Sequence, residues 1–194
     1  AEGSKLIVNA GTTINIPYGK FIDVAGAICI GDTSCGASSG SASNMARFVW
    51  SIPSASDYTK SGRCYDNTTS YLNNVDAACG SGMIIRSTIN QALTSINYAH
   101  YENAYGYPMY VPSLQSVQYG ALVFDGSSTT ANGLSFTEIN TSNVLAVDFA
   151  APLLKDSTFT LGVDGREYDA AAVRAYGAGA GILATFKIEN SVFT

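Results

Sequence analysis

LIVNAGTTINI, residues 6–16, decides how this chain is read. Leu6, Val8, Ala10, Ile14 and Ile16 fall on one parity. Asn9, Gly11, Thr13 and Asn15 fall on the other, with Ile7 the exception. A period of two belongs to a strand with one buried face. Such a strand, leading a β-rich chain, has two destinations. It ladders into its own sheet, or it adds to an open sheet edge in a neighbouring copy. A one-residue slip would turn its polar set inward, so either partner enforces the register. The four large members, Leu6, Val8, Ile14 and Ile16, would contribute roughly 6–12 kcal/mol on full burial, before ordering costs.

Further strands follow outward from this segment. Phe21–Ile30 reads as one strand, and Arg47–Ile52, holding Trp50, as another that Pro53 stops. Ile85, Ile89, Leu93 and Ile96 make a helix-compatible stripe, so at most one short helix is expected, near residues 83–97. Beyond Val117 the pattern is of hairpins. Asp125-Gly126, Asn132-Gly133 and Asp164-Gly165 are turn signals between short apolar runs, and Ile182 to Glu189 alternates as a terminal strand. The expected fold is mainly β, a jelly-roll-like antiparallel β sandwich. Residues 1–16 are expected as a donor-strand segment and 17–194 as a single β-sandwich domain.

Charged residues are 13% of the 194, about half the usual share. Hydrophobic residues are 46%, enough for a core and too many for disorder. Net charge is −5 with the basic residues scattered, so no nucleic-acid partner is expected. No apolar run approaches the ~18 residues that span a bilayer. The chain starts at Ala1, which reads as the product of signal-peptide removal.

Four cysteines leave three pairings open. Cys29–Cys35 and Cys64–Cys79 are favoured, because each closes a short loop containing Gly or Asn. Disulfides and the sequons at Asn67 and Asn140 point to an extracellular glycoprotein.

Catalytic signals are thin. Gly36-Ala37-Ser38-Ser39-Gly40 matches G-x-S-x-G, yet it lies in a Ser/Gly-rich loop with His100 as the one available base. Asp164, Glu167 and Asp169 could hold Ca²⁺, and read better as a solvated hairpin tip. The expectation is of no enzyme, no metal and no cofactor. Tyr98, Tyr101, Tyr105, Tyr107 and Tyr110 read equally as a sugar-stacking or interface surface and as a satellite core.

The alternating strand at Leu6–Ile16, the processed Ala start, the Ser/Thr/Asn/Tyr-rich composition and the sequons together resemble the donor-strand pilins of archaea. The subunits of thin thread filaments of thermoacidophiles are the nearest likeness, and bundling pilins are similar. That resemblance implies a glycosylated pilus or filament at the cell surface, supporting adhesion or cell–cell contact. Each copy would give Leu6, Val8, Ala10, Ile14 and Ile16 to the next. The partners expected are other copies of the chain, and glycans or other cell surfaces. The alternatives are a secreted carbohydrate-binding or adhesion module, a jelly-roll capsid or surface-layer subunit, and a hydrolase using Ser38.

Overall fold

The apolar run at Leu6 does not reach Ile16 as one strand. Gly11, at φ 76°, sits in a turn closed by Thr12 N–H donating to the Asn9 carbonyl. The run therefore splits into β1 (Lys5–Val8) and β2 (Thr13–Ile16), which enter different sheets. The computed structural model describes residues 4–35, 37–52, 81–86, 93–111, 114–139, 141–160, 171–177 and 186–194.

The same step repeats along the chain. The first rung is β1, β2 and β3 (Ile22–Val24). The second is β4 (Ala27–Ile30), β7 (Ala46–Trp50) and β8 (Met83–Arg86). A small hairpin, β5 (Asp32–Ser34) and β6 (Ala37–Ser38), is inserted after β4. The third rung is β9 (Ser95–Asn97), β10 (Ala99–Glu102) and β12 (Ser116–Asp125). Its insertion, β11 (Tyr107–Val111), folds back antiparallel on the first half of β12. The fourth is β13 (Thr130–Asn132), β14 (Ser135–Thr137) and β15 (Ser142–Val147). The fifth is β16 (Leu153–Lys155), β17 (Thr158–Phe159) and β18 (Val173–Ala175). The sixth is β19 (Lys187–Glu189) and β20 (Val192–Phe193).

Each strand pairs in parallel with its counterpart one rung on. Sheet A runs β1-β4-β9-β13-β16-β19, sheet B runs β2-β7-β10-β14-β17-β20, and sheet C runs β3-β8-β12-β15-β18. The molecule is thus a parallel β-solenoid. The mainly β reading holds, but the antiparallel jelly-roll sandwich is corrected. The turn signals explain the difference. At Asn132-Gly133 only the glycine is left-handed, at φ 66°, whereas a tight primed hairpin turn needs two such residues. One left-handed residue bends the chain around a corner, from β13 in sheet A to β14 in sheet B.

Equivalent corners carry Gly31, Tyr98, Asp156 and Asn190, all at positive φ. Their main chain continues the ladder. Tyr98 N–H donates to the Asn132 carbonyl at 2.7 Å, Gly133 N–H to Lys155 at 2.9 Å, and Asp156 N–H to Glu189 at 3.1 Å.

Where at most one short helix was expected, near residues 83–97, the described ends of the stretch include β8, in sheet C, and β9, in sheet A, while residues 87–92 lie outside the described residues. Ile85 and Ile96 both point inward from separate strands, and that mimicked a helical stripe. Similarly, Phe21–Ile30 is not one strand but β3 and β4, in sheets C and A.

Inward side chains stack in columns. In sheet A these are Val8, Ile30, Ile96, Ala131, Leu154 and Ile188. In sheet B they are Ile14, Phe48, Tyr101, Phe136, Phe159 and Phe193. From Phe48 to Phe193 the rings are stacked, with centroids 5.0–5.7 Å apart. Each stacked pair adds about 0.5–1.5 kcal/mol to the burial of its rings. Complete burial in apolar surroundings also raises the Tyr101 hydroxyl pKa above its ordinary value.

Candidate functional site: the two open ends

In a solenoid each rung covers the one before, so the first and last rungs are each covered on one side only. Among the described residues β1, β2 and β3 each have one hydrogen-bonded neighbour, as do β18, β19 and β20. Their outer edges carry main-chain N–H and C=O groups that another strand can pair. Solenoids that remain single usually close such ends with a polar rung.

Six of the eleven large apolar side chains exposed among the described residues lie on the two end rungs: Leu6, Ile7 and Phe21 on the first, Ile188, Val192 and Phe193 on the last. Phe193 is 54% exposed, whereas Phe159, one rung below it, is fully buried. The contrast comes from position alone. Both rings point inward in the same column, and among the described residues no strand lies above Phe193.

The residues expected as a donor strand are therefore placed as follows. Val8 and Ile16 are buried, Ile14 packs against the core, Ala10 lies in the first corner and Leu6 is 48% exposed. Val8 is hydrogen-bonded to Gly31, and Thr12 to Arg47, within the chain. Lys5–Val8 and Thr13–Ile16 thus ladder within the chain, against β4 and β7. The parity was read correctly, but it belongs to two short strands facing one interior.

A polar row on the outer face of sheet B escaped the sequence reading. His100 Nδ1 lies 3.1 Å from Ser135 Oγ, and its Nε2 3.7 Å from Glu102 Oε2. Arg47 Nη2 donates to the same Glu102 oxygen at 2.6 Å. The residues come from β7, β10 and β14, and no spacing in the sequence links them. The histidine pKa is lowered by burial and by Arg47, against the pull of Glu102. Ser, His and Glu are the members of a hydrolytic triad, but Glu102 is held by Arg47. The strand carrying Ser135 is laddered on both sides, so its own main-chain donors are engaged in the sheet and do not serve an oxyanion. The row is a cross-strand polar ladder.

The chain matches no protein-family model, no curated protein and no solved structure. Function is therefore read from the site itself.

The remaining candidates are placed as follows. Cys29, on β4, and Cys35, in the turn between β5 and β6, form a disulfide with Cα atoms 5.3 Å apart. Cys64, Cys79, Asn67 and Asn140 lie outside the described residues, as do Asp164, Glu167 and Asp169. Ser38 lies on β6, in a hairpin, and not at a strand-to-helix turn. The tyrosine-rich stretch does not form one platform. Tyr101 is in the core, Tyr105 packs edge-on against Tyr18, and Tyr107 packs against Phe21 and bonds to Arg86. Among the described residues no group of three or more His, Cys, Asp or Glu is placed to hold a metal ion. No described helix is long and apolar enough to cross a membrane.

Proposed function

We propose that this chain is a structural protein of an extracellular filament, whose copies join through the apolar edges of the first and last described rungs. One observation carries the reading: six of the eleven large apolar side chains exposed among the described residues lie on the first and last described rungs, whose outer strand edges have no partner among the described residues. A contact between the first rung of one copy and the last rung of another is head-to-tail. Head-to-tail contacts that do not close into a ring generate filaments. Strand exchange has no part in this proposal, because Lys5–Val8 and Thr13–Ile16 are already paired in their own sheets. The Cys29–Cys35 disulfide supports an oxidising compartment. The low charge and the outward Ser, Thr and Asn residues suit a surface protein, with the sequons at Asn67 and Asn140 as attachment points for glycans.

The test is negative-stain microscopy and sedimentation of the purified protein over a range of concentrations. Filaments one solenoid wide, lengthening with concentration, are expected. A protein that stays monomeric up to about millimolar concentration would exclude the proposal, since that corresponds to an association weaker than about 4 kcal/mol.

A further inference from the structure

We infer that the chain carries a binding site for a neutral saccharide at the β3 end of sheet C, built from Phe21, Asp23, Arg86 and Tyr107. The inference goes beyond filament assembly, and nothing in it depends on a second copy.

Distant segments meet at this place. Phe21 stands just before β3, Asp23 lies within it, Arg86 ends β8 and Tyr107 opens β11. The pairing of β3 with β8 brings Asp23 within reach of Arg86. The Arg86 guanidinium donates from Nε and Nη2 to the two Asp23 carboxylate oxygens, at 3.0 and 2.8 Å. Its Nη1 donates to Asp125 at 3.3 Å, and Nη2 also donates to the Tyr107 hydroxyl at 3.2 Å. Tyr107 packs edge-on against Phe21, with ring centroids 4.9 Å apart and planes at 79°. Phe21 is 36% exposed, and the side chains of Asp23 and Arg86 are 39% and 32% exposed. These groups thus hold one another in place while still facing water.

The bonding capacity left over points to the ligand. Of the five N–H donors of a guanidinium, the described bonds use four and leave one on Nη1. Each Asp23 oxygen accepts one bond from Arg86 and has room for another. The Tyr107 oxygen accepts from Arg86, so its own O–H is a donor to something else. Donors and acceptors therefore lie side by side, next to an exposed apolar ring. A ligand that uses all of them needs a flat C–H face for the ring and hydroxyls that both donate and accept, and a sugar has both. Charge selects a neutral one. Two carboxylates surround one guanidinium, which leaves no spare positive charge for a phosphate, a sulfate or a uronate. Because the side chains are already fixed, binding orders little that was mobile.

The test is calorimetric titration of the full chain with cellotetraose, mannotetraose and chitotetraose, and with tetragalacturonate as the anionic control. The protein is kept dispersed, below the concentration at which copies associate, because Phe21 also lies on the first described rung. Binding of at least one neutral sugar with Kd below about 1 mM is expected, with tetragalacturonate at least about tenfold weaker. Phe21→Ala should weaken binding by about tenfold or more, because the stacking face is lost. Asp23→Asn should weaken it by about tenfold, because a charged acceptor becomes a neutral one, while Arg86 keeps its bond to Asp125. Tyr110→Ala removes an exposed aromatic side chain from the other face of β11 and should leave Kd within about twofold of the parent. Melting curves check that each variant is folded.

Failure of all three neutral sugars to bind overturns the inference. Equal or tighter binding of tetragalacturonate does so too, by making Arg86 an anion site. Unchanged affinity in Phe21→Ala places the sugar elsewhere and also overturns it. Filaments without saccharide binding refute this site and leave the assembly reading standing, and binding by a chain that stays monomeric does the reverse.

Discussion

Phe193 stacks on Phe159 with ring centroids 5.0 Å apart, and it ends a column whose inner members are wholly covered. The same residue type in the same column thus has two burdens, set by rung. Phe136→Ala in the middle should cost about 3–5 kcal/mol, the usual toll for deleting a buried ring. Phe193→Ala should cost less than about 2 kcal/mol in the isolated chain, because half of that ring is already in water. Urea unfolding of the two variants below the assembly concentration checks this. Equal losses would mean that the rungs do not stack as described.

Gly31 turns the corner after β4 at φ 75°, with its α-carbon against the main chain of Asn97. A methyl group there would overlap the Asn97 carbonyl oxygen, which is backbone and cannot swing aside. Gly31→Ala should therefore lose at least about 2 kcal/mol, from left-handed strain plus displacement of the third rung. Gly177 is the control, since an added methyl group would meet nothing within 4 Å. Gly177→Ala should stay within about 0.5 kcal/mol of the parent. Thermal unfolding that moved both variants alike would contradict this placement.

The strands were legible in the sequence and their connection was not. Alternation at Leu6–Ile16 and the apolar runs around Trp50, Leu122 and Leu145 report burial of one face, which a sandwich and a solenoid share. What separates the two folds is the corner, and there the sequence is ambiguous. Asn132-Gly133 suits a hairpin and a solenoid bend equally well, and the other corners use Tyr98, Asp156 and Asn190 with no common motif. Long insertions after Ile30, Trp50 and Glu102 also hide the repeat that a uniform solenoid would display. The exposure at the last described rung was invisible for a related reason. Phe159 and Phe193 look alike in the sequence, and only the strand order among the described residues tells which one is covered.

Ser157 shows how a corner is held without a motif. Its hydroxyl donates to the Lys155 carbonyl at 2.7 Å and accepts from Leu134 N–H at 3.1 Å. One rung on, Ser191 repeats the pattern. It donates to the Glu189 carbonyl at 2.9 Å and accepts from Ser157 N–H at 3.1 Å. Ser157→Ala leaves the Leu134 amide without this acceptor in a buried corner and should cost about 1–3 kcal/mol. Ser157→Thr keeps the hydroxyl and should recover part of that loss. The comparison is made by chemical unfolding, and an alanine variant as stable as the parent would remove the serine ladder from the account.

Two titrating groups give the fold opposite responses to pH. Burial, followed by repulsion from Asp148, raises the Asp125 pKa against the pull of Arg86. The folded chain then holds that proton more tightly than the unfolded chain does, so stability falls as pH rises from about 3.8 through the raised value. His100 behaves in reverse. Burial and Arg47 lower its pKa, so the unfolded chain binds the proton better, and stability falls as pH drops below about 6.5. Asp125→Asn should therefore raise the melting temperature at pH 7, by roughly 1–3 °C, and bring no gain near pH 3. Arg86 keeps its paired contact with Asp23, at 3.0 and 2.8 Å, so the substitution does not strand the guanidinium. His100→Gln should flatten the loss below pH 6.5 and leave the profile above pH 7.5 parallel to the parent. Melting curves from pH 3 to pH 8 decide both, and a lower melting temperature for Asp125→Asn at neutral pH would show that the Arg86 contact outweighs the repulsion from Asp148.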